Sequence, residues 1–137
     1  MKTIVVLENK VSAIQGYLKI LERYKGYTLE EIKSNVDIRG ALERYLYLAV
    51  QATIDLAEAV IVFKNYRKPT TFRDSFYILE EQGIIDLPLS EKLALMVGFR
   101  NILAHDYERI DYSVVYDVLH SGVKDIEEFS AIIAKSY

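Results

Sequence analysis

The sequence has no cysteine and only two histidines among its 137 residues. Without cysteine, the chain has no disulfide, no thiolate metal ligand and no cysteine nucleophile, and its composition suits a reducing compartment. A zinc or iron site would have to rely on carboxylates, and no spacing of acidic residues and histidines predicts such a site. We therefore expect a protein that uses neither a metal ion nor a cofactor.

Glycine and proline are also scarce, with six and two residues. An all-β fold needs many turns, and those turns depend on these two residue types, so the composition disfavours it. A chain of this length with 51% hydrophobic residues can bury one core. We expect a single globular domain over residues 1–137.

Long apolar runs and an excess of basic charge are missing as well. The apolar run from Ile4 ends at Glu8, which is too short for a signal peptide, and no run reaches the roughly 18 residues of a membrane span. This pattern predicts a soluble, cytoplasmic protein without a membrane partner. The net charge is −3 and the pI is about 5.4, whereas nucleic-acid-binding proteins are usually basic. Contact with RNA would therefore need a small local site or a partner's help.

Apolar residues recur at helical spacing along the first half of the chain. They predict a helix from Leu7 that stops near Gly26, and then a short helical turn that begins with a capping box at Thr28. A long helix without proline is predicted from Ser34 to Tyr66, because Pro69 prevents its continuation.

The long helix has two apolar faces, and each face must be covered. The first comprises Ile38, Leu42, Tyr45, Ala49, Ala52, Leu56, Ala59 and Phe63, and the second Leu46, Val50, Ile54, Ala57 and Ile61. We expect one face to pack in its own bundle and the other against a second subunit of a homodimer. Arg44, Gln51, Asp55 and Glu58 form a polar stripe between them. The stripe is either a solvated face or, through Arg44 and Asp55, part of a cleft.

The second half of the chain predicts three more helices. The first runs from Thr71 to Gln82 with an inner face of Phe72, Phe76 and Leu79, and a connector with Pro88 follows it. Ser90 is predicted to cap the second helix and Asp111 the third. Val115, Leu119, Ile126, Phe129 and Ile133 are the inner positions of the last helix, which Ser121-Gly122 bends. Together the patterns predict an all-α, up-and-down bundle of four or five helices.

Four polar residues, Arg100, Asn101, His105 and Tyr107, lie close together at the end of the fifth predicted helical segment. Arg100 interrupts the apolar stripe of Leu93, Met96 and Leu103, where a charge needs a partner or a task. A salt bridge to Asp55, Glu58 or Asp106 is one explanation. Likewise, His105 could serve only the helix dipole, and Tyr107 could be a packing aromatic. His120 lies outside this context, so we expect it at the surface or in packing.

The spacing Arg100-x4-His105-x-Tyr107 resembles the HepT-like form of the HEPN superfamily. Leu42 to Leu46, the segment ending at Asp55, the Pro69 segment and Ile110-Asp111 resemble it in the same order. The resemblance implies a homodimeric toxin with metal-independent ribonuclease activity on RNA such as tRNA. It also implies a minimal nucleotidyltransferase as antitoxin, which transfers AMP to Tyr107.

The residues suit this chemistry, since a histidine can exchange protons near neutral pH and an arginine can grip a phosphate with two donors. We expect Arg100 and His105 to be catalytic and Asn101 to support them, by orienting the histidine ring or by binding a phosphate oxygen. Because one motif contains one histidine, two motifs should face each other in the dimer. Two alternatives are a non-catalytic HEPN module that binds nucleotide or docks a nucleotidyltransferase, and a purely structural helical dimer.

Overall fold

Every regular element in the computed structural model, which describes residues 2–137, is a helix. Met1, which belongs to the predicted domain, lies outside the described residues. The helices are α1 (Lys2–Glu22), α2 (Leu29–Ser34), α3 (Val36–Phe63), α4 (Phe72–Glu81), α5 (Leu87–His105), α6 (Tyr112–Asp117) and α7 (Val123–Ser136). The predicted all-α class is confirmed. The first helix ends at Glu22, before the predicted stop at Gly26.

Four long arms form an up-and-down bundle, namely α1, α3, α5 and the rod made by α6 and α7. A π-helical turn at Val118–Gly122 joins the two parts of that rod, where a bend was predicted. A Cβ on Gly122 would lie 2.5 Å from the methyl carbon of Met96, so the glycine lets the rod approach α5 closely. The central helix α3 packs against α1, α4, α5 and α7, and it therefore carries most of the core.

The helix starts follow local side-chain chemistry. The Thr28 capping box is confirmed: the Thr28 hydroxyl accepts from the Glu31 N–H at 3.1 Å, and Glu31 accepts from the Thr28 N–H at 2.9 Å. Asp111 caps α6 as predicted. The predicted cap at Ser90 is wrong, because Asp86 accepts from the Leu89 N–H and starts α5 four residues earlier. Pro88 then occupies the first turn, where its missing N–H costs nothing.

The two apolar faces of α3 are buried to different extents. The partly buried residues of the first face are Ile38, Tyr45, Ala52, Ala59 and Phe63. The five residues of the second face, which are Leu46, Val50, Ile54, Ala57 and Ile61, are each at most 3% exposed. This face therefore packs within the chain's own bundle, and the expectation of a second subunit on one of the two faces stays a prediction for the other. The periodicity of one helix could not show which face is buried in this way, because it does not reveal that α1, α4, α5 and α7 all pack against α3.

The inner faces of the later helices are mostly as predicted. Val115, Leu119, Ile126, Phe129 and Ile133 are all buried, as are Phe76 and Leu79 on α4. Phe72 is an exception, because it is 38% exposed at the start of α4 and does not belong to the core. By length and composition α3 could also cross a membrane, contrary to the expectation of no such stretch, but half of its most apolar window is buried within the protein.

Candidate functional site

Arg100 projects from the last two turns of α5. Leu93, Met96 and Leu103 on the same stripe are buried and fix this part of the helix in the core. Arg100 itself is only half-buried, so the helix holds the stem of the side chain while part of it remains accessible. The stripe therefore places a cation at the edge of the core, where the loss of water strengthens its interactions.

The guanidinium of Arg100 donates three hydrogen bonds, and all three acceptors are neutral groups. Its Nε donates to Gln51 Oε1 at 2.9 Å, its Nη1 to Asn101 Oδ1 at 3.0 Å, and its Nη2 to the Tyr47 hydroxyl at 3.3 Å. Within residues 2–137 no carboxylate forms an ion pair with it. The salt bridge considered above, to Asp55, Glu58 or Asp106, is absent there. The charge is thus held in place without being neutralised.

Asp55 acts on Arg100 through Gln51 rather than directly. The Gln51 amide nitrogen donates to Asp55 Oδ1 at 2.9 Å, while the amide oxygen accepts from Arg100. This orientation of the amide follows from its neighbours, because an arginine cannot accept and a carboxylate cannot donate. The polar stripe of α3 therefore positions the arginine by a relay. Burial and the nearby Asp55 raise the pKa of Glu58, further along the stripe, and Lys10 partly offsets that effect.

Tyr47 is the common neighbour of two arginines. The guanidinium carbons of Arg44 and Arg100 lie 5.5 and 5.3 Å from the centre of its ring, within cation–π range. The ring centre of Phe72, the first residue of α4, also lies 5.4 Å from the guanidinium carbon of Arg100. Two aromatic rings and the relay thus keep one guanidinium in a fixed place.

A shallow pocket of about 230 Å³ lies beside this cluster, at the end of α5. We call it the His105 pocket. Its polar and aromatic walls are Glu43, Arg44, Tyr47, His105 and Tyr107, and Leu103 and Ala104 complete it. His105 is the last residue of α5, as predicted, and its side chain is exposed. The structure therefore brings His105, Tyr107 and the cleft candidate Arg44 together, with Tyr47 linking them to Arg100.

Asn101 contacts Arg100, and the described residues show no hydrogen bond from it to His105. The geometry thus favours a third task for Asn101, alignment of the Arg100 cation, over orientation of the imidazole. Tyr107 follows α5 in a short turn of 3-10 helix, Tyr107–Arg109, and is 66% exposed. His120 packs against Tyr116, with ring centres 4.3 Å apart, as expected for a packing residue.

The sequence reasoning missed three neighbours of the site, namely Tyr47, Phe72 and Glu43. The sequence did contain a signal for Tyr47. It lies four residues before Gln51, which lies four residues before Asp55, so the three side chains share one ridge of the helix. Metal ligation is not indicated among residues 2–137, where no group of three or more His, Asp and Glu side chains is arranged to hold an ion.

The profile of the HepT-like ribonuclease family matches residues 14–133, which include the complete site. The chain belongs to the HepT-like family. An mRNA nuclease HepT of Shewanella oneidensis is 29% identical over 128 residues, which are 93% of this chain and 96% of that protein. A tRNA nuclease HepT of Aphanizomenon flos-aquae is 29% identical over 112 residues, with 82% and 76% covered.

Solved structures of HEPN toxins share the HepT-like fold of the chain. A toxin–antitoxin crystal structure with AMP-PNP superposes with a TM-score of 0.88 at 28% identity, covering 95% of this chain and 98% of the other. The tri-AMPylated HEPN toxin of Shewanella oneidensis, in complex with its MNT antitoxin, gives the same score and identity, with 95% and 97% covered. The expected family, fold and ribonuclease class are confirmed.

Proposed function

We propose that this HepT-like chain is a toxin that cleaves RNA without a metal ion, through Arg100 and His105. The observation that carries the proposal is the half-buried Arg100 guanidinium, which has only neutral hydrogen-bond partners and shares Tyr47 with the His105 pocket. Such a cation can bind a phosphate with its remaining N–H donors and stabilise the negative charge that develops on the phosphate. We take tRNA as the first candidate substrate, and the name of the Shewanella relative makes mRNA the next.

The reaction needs two proton transfers and one fixed charge. A base removes the proton of a ribose 2′-hydroxyl, whose oxygen attacks the adjacent phosphorus and forms a 2′,3′-cyclic phosphate. The bond to the 5′-oxygen of the next nucleotide breaks, and an acid returns a proton to that oxygen. A histidine can act as the base when neutral and as the acid when protonated, because its ordinary pKa is near 6.5. Arg100 stabilises the charged phosphorus centre between the two transfers.

Each chain supplies one histidine to this site, whereas the reaction needs both a base and an acid. His120 is no substitute, since it packs against Tyr116 and its Nε2 atom is buried. We propose a homodimer in which two Arg–His–Tyr motifs face each other across one substrate. The dimer is supported by this requirement, and the second apolar face of α3, which packs within the bundle, does not contribute to it.

Tyr107 is the proposed control point. Its phenol lies on an exposed turn at the edge of the His105 pocket, where another enzyme can reach it. A minimal nucleotidyltransferase antitoxin would join the phenolic oxygen to the α-phosphate of ATP, and pyrophosphate would leave. The bound AMP then places an anion beside Arg44 and Arg100 and fills the space that RNA needs. The tri-AMPylated state of the Shewanella toxin supports this proposal.

The substitution His105→Ala tests the catalytic proposal. We expect it to lower RNA cleavage by roughly a hundredfold or more, since proton transfer by a positioned side chain contributes about that factor. Purified wild type and variant would be incubated with a tRNA pool and an mRNA pool in excess chelator. Thermal unfolding and light scattering should show an unchanged fold and oligomer. Cleavage that survives the substitution, or that requires added metal, contradicts the mechanism.

The substitution Tyr107→Phe tests the control point. The variant should keep its ribonuclease activity but remain toxic when the neighbouring nucleotidyltransferase is coexpressed, because the acceptor oxygen is gone. Cell growth and the mass of the recovered toxin would be measured together. Full neutralisation of the variant, with no added AMP, would remove Tyr107 from the switch.

The acidic net charge favours a second candidate, a non-catalytic module that binds nucleotides and docks a nucleotidyltransferase. In that role Arg100 binds phosphate and His105 positions it. A purified protein that binds nucleotides but leaves both RNA pools intact would support this candidate over the first. Either function is consistent with a soluble protein in the cytoplasm, which we also propose.

A further inference from the structure

Glu43 is a buried carboxylate in the wall of the His105 pocket. Its side chain belongs to α3 and is 9% exposed, which is unusual for a glutamate unless it has a partner or a task. The next residue, Arg44, lies against Tyr47, and no lysine or arginine within residues 4–137 forms an ion pair with Glu43. The pocket wall thus contains a carboxylate without a paired cation, while the guanidiniums of Arg44 and Arg100 lie against the Tyr47 ring.

One neutral donor fixes this carboxylate. The Tyr112 hydroxyl donates to Glu43 Oε2 at 2.8 Å, and the guanidinium of Arg39 lies 5.6 Å from the Tyr112 ring centre. Burial and the bond to Glu43 raise the pKa of Tyr112, so the phenol stays protonated and continues to donate. A carboxylate has about four acceptor positions, and this is the one that the described residues occupy. The remaining positions are available to donors that enter the pocket.

The other walls of the pocket suit a nucleobase. Unpaired RNA bases stack on tyrosine rings and on arginine planes, and the pocket offers Tyr47, Tyr107 and Arg44 for this purpose. Its volume of about 230 Å³ is below the roughly 300 Å³ at which sites for larger ligands begin, so it fits one base. His105, in the same pocket, would lie at the ribose or phosphate of that nucleotide.

We propose that Glu43 reads the base of the nucleotide beside the cleaved phosphate and that it selects guanine. The inference rests on the proposed ribonuclease function and adds its sequence preference. Guanine presents its N1–H and its 2-amino group side by side, so both can donate to one carboxylate, and charged acceptors make the stronger bonds. Uracil places a carbonyl oxygen on each side of its single N–H, and these oxygens would repel the carboxylate.

A structural role for Glu43 predicts something different. If its bond to Tyr112 serves only to hold α6 against α3, its loss should weaken the fold or slow the cleavage of every sequence equally. A base-reading role changes the ratio between sequences. The preference among bases, rather than the rate, is therefore the informative measurement.

The test compares wild type with Glu43→Gln on a pool of RNA with random sequence, and the cut ends are sequenced. We expect guanine to be enriched beside the cut in wild type, and we expect this enrichment to be about tenfold lower in Glu43→Gln. The matched control Glu128→Gln changes an exposed glutamate of α7 and should keep the wild-type preference. If wild type and Glu43→Gln show the same base frequencies beside the cut, the inference is overturned, while the ribonuclease function is unaffected.

A second measurement uses the unaltered protein and so does not depend on how the variant folds. Inosine replaces guanine at the preferred site of a defined oligonucleotide, which removes the 2-amino donor alone. Cleavage should fall by about tenfold, whereas 7-deazaguanine, altered on the opposite edge, should be cut like guanine. Inosine that is cut as fast as guanine overturns the inference. A wild type that cuts neither the pool nor the oligonucleotide, like His105→Ala, overturns the proposed function and this inference with it.

Discussion

Two arginines of this chain, Arg67 and Arg100, have opposite surroundings. Arg67 lies between α3 and α4 and donates four hydrogen bonds of 2.7–3.2 Å, two to Asp74 and two to Glu81. Arg100 donates three hydrogen bonds, to an amide of α3, an amide of α5 and a phenol. Both guanidiniums are well ordered by their partners. They differ in whether the partners also cancel their charge.

Under the proposed function, this difference separates a structural arginine from a catalytic one. Arg67 is saturated by two carboxylates and ties the loop after α3 to both ends of α4, so an incoming phosphate would have to displace strong partners. Arg100 has neutral partners, so it keeps its geometry and its attraction for an anion at the same time. Half-burial increases that attraction, because little water screens it.

The largest expected effect is the difference in RNA cleavage between two variants in which one of these arginines is replaced by glutamine. Arg100→Gln should lower RNA cleavage by roughly a hundredfold or more, the usual cost of removing a fixed group that stabilises the transition state. Arg67→Gln should leave the cleavage rate near that of wild type and lower the melting temperature slightly, since exposed ion pairs stabilise little. Single-turnover cleavage and thermal unfolding of both variants would be measured.

The two variants serve as controls for each other, because each removes one guanidinium. If Arg67→Gln reduces cleavage as much as Arg100→Gln does, the contrast between the two arginines has no functional meaning. The contrast would also lose its functional meaning if Arg100→Gln lost cleavage only because the variant is unfolded at the assay temperature.

A smaller effect should appear at low pH. Arg67 lowers the carboxyl pKa of both Asp74 and Glu81 below their ordinary values of 3.8 and 4.5. A lowered pKa in the folded state means that this stabilisation is complete above those ordinary values and is lost as the pH falls through the folded-state values. The melting temperatures of wild type and Arg67→Gln should therefore differ at pH 7 and converge as the pH falls through those lowered values. A gap that stays constant as the pH is lowered until the protein unfolds would show that the ion pairs are not its cause.

Local patterns in the sequence predicted most of the helices and part of the site. Thr28 and Asp111 were recognisable as caps because a cap depends on residues within three positions of it. The position of Arg100 on an apolar stripe followed from helical spacing alone. The spacing of Arg100, His105 and Tyr107 pointed to the family that the comparison then showed. Their individual roles remain a proposal.

Contacts between distant parts of the chain could not be predicted in this way. Gln51 and Tyr47 are 49 and 53 residues from Arg100, and nothing local specifies that they would be its partners. Phe72 had the spacing of a core residue but is drawn to the cation instead. The cap of α5 was misplaced because Asp86 and Ser90 are both good cap residues, and local sequence does not decide between them.

The exposed turn at Tyr107 also affects how much antitoxin a cell needs. An inhibitor that works by covering a surface must be present in at least equal number and must stay bound. An enzyme that marks an accessible phenol on the folded toxin can leave and mark the next molecule. Under the proposed switch, a few antitoxin molecules can inactivate many toxin molecules, and the toxin stays inactive after the antitoxin itself is gone.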